Sequence, residues 1–168
     1  MRKNTRFLVQ SSVIAALYLV LTHLQNLLFP NSATMAVQFR ASEALCVLSF
    51  FTPAAIPGLS LGCLLFNITS AGALPLDFLV GTLASALAAF GMWTTRRLTV
   101  GRFPLLGFTL PGVTNALLVG WELTHYMGGG FPFNALCVAL GELGVLFTLG
   151  VVLYYAIKAR NLDTKLFR

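Results

Sequence analysis

Charge is what this sequence has least of. Of its 168 residues only 10% are charged, against about 25% in an ordinary soluble domain, so no water-facing shell can be built from it. Sequence signatures of catalysis are equally scarce. A Walker A loop is absent, which excludes P-loop ATP hydrolysis by this chain, and neither H-E-x-x-H nor G-x-S-x-G occurs. The two histidines, His23 and His125, leave little for hydrolytic chemistry. Glu122 and His125 form a Glu-x-x-His pair, but the second such pair that a carboxylate-bridged di-iron bundle requires is missing. Three cysteines, Cys46, Cys63 and Cys137, are too few and too widely spaced for a disulfide framework or a zinc site. They read as packing residues. No cofactor and no metal is implied.

What is present is apolar: 57% hydrophobic residues and a mean hydropathy of +0.83. Such runs extend from Phe7 to Phe29, Ala44 to Ile68, Leu74 to Thr95, Leu105 to His125 and Phe133 to Ile157. Met1 to Arg6 followed by the first run looks like a secretory signal, yet the run exceeds the roughly 7–15 residues of a signal core. It reads as a retained first helix. The net charge of +6 does not indicate nucleic acid, because the basic residues sit at the ends of apolar runs rather than along one polar face. The sequence therefore specifies an all-α integral membrane protein in contact with lipid, a single domain over residues 1–168.

The second run is interrupted by FFTPAAIPG at Phe50 to Gly58, where Pro53 and Pro57 remove two amide donors. Thr52 is the expected N-cap and Pro53 the expected first residue of a new helix. Charge decides whether the chain turns there, since Lys and Arg favour cytoplasmic loops. With six crossings, Arg2, Lys3, Arg6, Arg96, Arg97, Arg102, Lys158, Arg160, Lys165 and Arg168 share the cytoplasmic side, and only Arg40 of the eleven basic residues faces out. Five crossings would send one basic cluster outward. Six transmembrane helices with both termini cytoplasmic are thus expected in the cell membrane. The second is short: Ala41 to Thr52 reaches about 18 Å as an α-helix against a core of about 30 Å, so it is short, tilted or re-entrant.

This topology gathers polar groups in the outer half of the bilayer. Glu43, Asn67, Asp77, Glu122 and His125 fall at outer helix ends, and Glu142 lies about 13 Å into the last helix. A charge at membrane depth costs at least about 2.5 kcal/mol and usually faces a pathway or ligand. Glu43, Asp77 and Glu122 read either as interfacial groups, solvated or paired with Arg40, or as ligand contacts; Glu142 favours the latter. Asn115 and Glu122, seven residues apart, share one face of helix five, and Trp121 and His125 a neighbouring one. Trp121, Tyr126, Phe131 and Phe133 are either an interfacial belt or a stacking wall for a flat ring. The candidate binding residues are Glu122, Glu142, His125, Trp121, Asn67, Arg40, Glu43, Asp77 and Asn115. Small residues at helical spacing, Ser11/Ala15, Ser12/Ala16, Gly58/Gly62 and Gly81/Ser85/Ala89, permit close helix approach. Those on helix one pack either within the chain or against another subunit.

QFRASEAL at Gln38 to Leu45, FFTPAAIPG at Phe50 to Gly58, LGCLLFN at Leu61 to Asn67 and DFLVGTLASALAA at Asp77 to Ala89 together resemble the queuosine-precursor (QueT-type) transporters. These are substrate-binding S components of energy-coupling-factor importers. Ser49 departs from the pattern, where proline is expected. The resemblance implies a six-helix subunit that captures a deazaguanine base outside and releases it inside, after docking on a transmembrane coupling protein driven by two ATPases. Ser11, Ser12, Ala15 and Ala16 are the candidate docking contacts. The readings that compete with this one are an S component for another vitamin-like heterocycle, a stand-alone carrier or channel, and a membrane metalloenzyme.

Overall fold

A computed structural model describes residues 3–30, 39–101 and 103–166. Met1, Arg2, Gln38, Arg102 and Arg168, invoked above, lie outside the described residues. The helices are α1 (Lys3–Leu28), a 3₁₀ helix (Ala41–Phe50), α2 (Ala55–Thr69), α3 (Asp77–Thr95), α4 (Leu105–Met127), α5 (Phe131–Val145), a π turn (Leu146–Gly150), α6 (Val151–Ala159) and a short α7 (Leu162–Leu166). Among the described residues three stretches are long and apolar enough to cross a membrane: Lys3–Leu28, Asp77–Thr95 and the continuous Phe131–Ala159. Two apolar helices are shorter, Ala41–Phe50 and Ala55–Thr69. The helix α4 has 23 residues, but Pro111, Asn115 and Glu122 dilute its apolar character.

The packing is inverted relative to a water-soluble protein. Arg40, Glu43, Asp77, Glu122 and Glu142 are buried, while Leu8, Val20, Leu27, Leu61, Phe90 and Leu140 are exposed. Apolar surface on this scale belongs against hydrocarbon. The fold is a helical membrane bundle.

Helices α1 to α5 pack each on the next, and the 3₁₀ helix sits among them, touching α1, α2, α3, α5, the π turn and α6. All its residues but Ala41 and Leu45 are buried. The break expected at Thr52–Pro53 is present, with α2 starting at Ala55, two residues later than Pro53. The reason is Pro57: it has no N–H to give to Pro53 O, so the first turn closes through Ile56 N to Pro53 O, and α-type bonding begins with Gly58 N to Ala54 O. Thr52 still caps the turn, its Oγ1 accepting from Ala54 N at 3.2 Å.

Small residues set the closest contacts. A Cβ on Gly62 would lie 2.7 Å from Tyr18 Cβ, and one on Gly58 would lie 2.9 Å from Ile14 Cβ and Ser11 O, so only glycine lets α2 approach α1 this closely. Side chains then zip α1 to the segment that follows it. Gln25 Nε2 donates to Phe39 O and its Oε1 accepts from Ala41 N. The Thr22 and Ser42 hydroxyls are 2.7 Å apart, Tyr18 OH donates to Glu43, Ser11 Oγ donates to Ala54 O at 3.0 Å, and Thr52 Oγ1 donates to Gln10 Oε1 at 3.0 Å.

The last long helix carries the other irregularity. Its buried face steps through Asn134, Val138, Gly141, Glu142 and Val145, then reaches Gly150, Tyr154 and Ile157. The π turn absorbs the five-residue interval between Val145 and Gly150 and keeps one face toward the core. At the other end, Gly128 and Gly129 adopt φ of 76° and 78°, which lets the link between α4 and α5 turn sharply.

Candidate functional site

The 3₁₀ geometry converts a sequence pattern into a surface. At three residues per turn, side chains three apart are eclipsed, so Glu43, Cys46 and Ser49 form one line along the 3₁₀ helix, flanked by Arg40 and Thr52. All five are buried. In an α-helix each step of three would rotate the side chain by about 60° and the line would become a spiral. Glu43 is at the start of this segment, Asn67 near the end of α2, Asp77 at the start of α3, Glu122 near the end of α4 and Glu142 within α5. Successive segments therefore alternate in direction and bring these groups to one end. Lys3, Arg6, Arg96, Arg97, Lys158 and Arg160 lie at the opposite end.

The carboxylates form two facing pairs around one guanidinium. Glu142 faces Glu43 and Glu122 faces Asp77. Arg40 is within electrostatic reach of Glu43 and Asp77 as well as of Glu122 and Glu142. Its guanidinium carbon lies 5.5 Å from the centroid of the Phe66 ring, a cation–π arrangement, and its Nη1 is 4.0 Å from Cys63 Sγ. Phe66 is fully buried and meets His23 edge-on at 5.1 Å.

Hydrogen bonding divides these acids. Both oxygens of Glu43 are held, Oε1 by Tyr18 OH and Oε2 by Cys46 Sγ at 3.1 Å. Asp77 Oδ2 accepts from Leu74 N at 2.7 Å, and Asp77 O accepts from Asn67 Nδ2 at 2.7 Å. By contrast, Glu122 Oε1 and Oε2, Glu142 Oε1 and Asn67 Oδ1 are buried with no partner among the described residues. All four are acceptors. A buried acceptor without a donor is costly, and these four, gathered around Arg40, suit a ligand rich in N–H groups.

Of the residues singled out from the sequence, the structure brings together Arg40, Glu43, Asn67, Asp77, Glu122 and Glu142. It does not bring in Trp121 or His125. Trp121 is 54% exposed while its neighbour Glu122 is fully buried; Trp121 and His125 stack on each other with centroids 6.1 Å apart, on the outer side of α4. The roughly 100° between consecutive helical residues puts the ring pair outside when Glu122 is inside. Asn115 is buried, but its Nδ2 donates to Pro111 O at 3.0 Å, one turn back in α4. On α1, Ser11 and Ala15 are buried against α2, whereas Ser12 and Ala16 are exposed.

Three residues of this cluster went unremarked in the sequence or were read as packing alone: Tyr18, Cys46 and Phe66. The spacing of Ser11, Tyr18, Thr22 and Gln25, a polar face on an otherwise apolar helix, was the available signal for the first. An apolar groove of about 360 Å³ lies elsewhere, between α1, the 3₁₀ helix, α6 and α7, lined by residues such as Val13, Leu48 and Ile157. It has none of this chemistry.

No curated protein and no solved structure matched the chain. A model of the QueT transporter family matches residues 8–159, a span that includes every member of the acidic cluster, and the chain belongs to that family of membrane transporters, whose cargo is a small molecule.

Proposed function

We propose that this protein is the substrate-capture subunit of an ATP-driven importer, that its cargo is a queuosine precursor of the deazaguanine class, and that the ATPases are partner proteins joined through a transmembrane coupling protein. The observation that carries the reading is the set of open acceptors on Glu122, Glu142 and Asn67 around Arg40. A guanine-like edge offers adjacent N–H donors, which suit the two free oxygens of Glu122. Its carbonyl suits Arg40, a rigid fork of donors already oriented by Phe66. An aminomethyl substituent carries a cation to Glu142. Four acids gathered around one arginine disfavour anionic cargo.

In this reading α1, the 3₁₀ helix, α2, α3, α4 and the continuous α5–α6 segment each cross once, the acidic end is extracytoplasmic and both termini are cytoplasmic, in keeping with the bias of Lys and Arg to the inside. The 3₁₀ geometry helps the short second crossing, since ten residues at about 2.0 Å each reach about 20 Å. Docking uses the exposed Ser12 and Ala16 side of α1. Mass spectrometry of small molecules released from the intact purified protein tests the cargo. A deazapurine supports the reading, and a different heterocycle replaces the substrate class. Uptake into vesicles that needs only an ion gradient, without ATP, refutes the importer.

A further inference from the structure

Glu43 and Glu142 face each other, yet they are not equivalent. Tyr18 and Cys46 occupy the two oxygens of Glu43, and both donors are fully buried. Glu142 Oε1 has no partner among the described residues. Two free carboxylates side by side would offer a ligand N–H two places to bind and hence two poses. Capping one of them leaves one.

We propose that Tyr18 and Cys46 are positioning residues that lock Glu43 as a fixed wall, so that Glu142 alone on that side receives the ligand and the pose is unique. The inference rests on the substrate-site reading above. Tyr18 belongs to α1, rests its Cβ against Gly62 of α2 and reaches Glu43 on the 3₁₀ helix, so the helix that carries the exposed Ser12 and Ala16 side also sets which acid is available. Freeing Glu43 changes the division. In a Tyr18→Phe protein the ring still fills its place, while Glu43 Oε1 becomes an open acceptor beside Glu142 and can stand in for it.

The test is a double-mutant cycle read by calorimetric titration with 7-aminomethyl-7-deazaguanine, on full-length protein in lipid nanodiscs. Glu142→Gln alone should weaken binding by about tenfold or more, and by no more than about threefold when Tyr18→Phe is also present. A loss as large in the Tyr18→Phe background as in the wild type overturns the positioning role and leaves the site reading intact. No loss from Glu142→Gln in the wild type removes Glu142 from the site and overturns both. Should Tyr18→Phe fail to fold as a monodisperse species, Cys46→Ala paired with Glu142→Gln poses the same question at the other oxygen. Cys46→Ser, which keeps a donor to Glu43, should then restore the full effect of Glu142→Gln.

Discussion

Gly62→Ala is the sharpest test of how α1 and α2 meet. The added Cβ would lie 2.7 Å from Tyr18 Cβ and 3.0 Å from Ala15 O, where carbon atoms prefer about 3.5–4.0 Å. The helices must separate by roughly an ångström, and overpacking of this kind costs about 1–3 kcal/mol. Alanine returns up to about 1 kcal/mol through its better helix propensity, leaving a net loss of about 1–2 kcal/mol. Gly144→Ala is the matched control, because its Cβ would meet only Phe39 Cε2 at 4.0 Å, an ordinary contact. Thermal unfolding of both variants in the same detergent should show a midpoint lowered by several degrees for Gly62→Ala and unchanged or slightly raised for Gly144→Ala. The Tyr18 bond to Glu43 should weaken as well, so the cost of Glu142→Gln to ligand affinity should shrink only in the former. Equal midpoints for the two variants would refute the close packing of α1 on α2.

Glu122→Gln should cost about tenfold or more in affinity for a deazaguanine, since it turns one of two open acceptors into a donor facing the ligand's own donors; titration of the purified protein measures this. Trp121→Ala and His125→Ala should leave that affinity unchanged within about twofold, because both rings stack on the outer side of α4, and a large loss in either would place them in the site after all. Ala16→Leu should abolish uptake in cells while the isolated protein still binds. Ala15→Leu, directed into α2, should instead reduce the folded yield.

Much of this arrangement was legible in the sequence because membranes penalise what they cannot solvate. Pro53 and Pro57 announced the break before α2, and acids inside apolar runs announced the cluster of Glu43, Asp77, Glu122 and Glu142. What was not legible is which side of a helix turns inward. Trp121 and Glu122 are neighbours in the chain, and only packing against α3 and α5 decides that the carboxylate is inside. The hydroxyls of α1 were equally ambiguous: Ser and Thr in apolar helices commonly bond to the carbonyl four residues back, as Thr22 does to Tyr18 O, so a second partner across the interface left no trace. The 3₁₀ winding was also hidden. Polar residues at every third position from Arg40 to Thr52 were in plain view, but at the default helical pitch they describe a spiral and suggest no common face.

That winding makes the meeting of the acids conditional. Ten residues coiled at the ordinary pitch would span about 15 Å rather than about 20 Å, drawing Glu43 inward by roughly one helical turn and swinging Cys46 and Ser49 out of register behind it. The facing of Glu43 toward Glu142 thus holds only while this strut stays stretched, and whatever shortens the strut also parts the two acids.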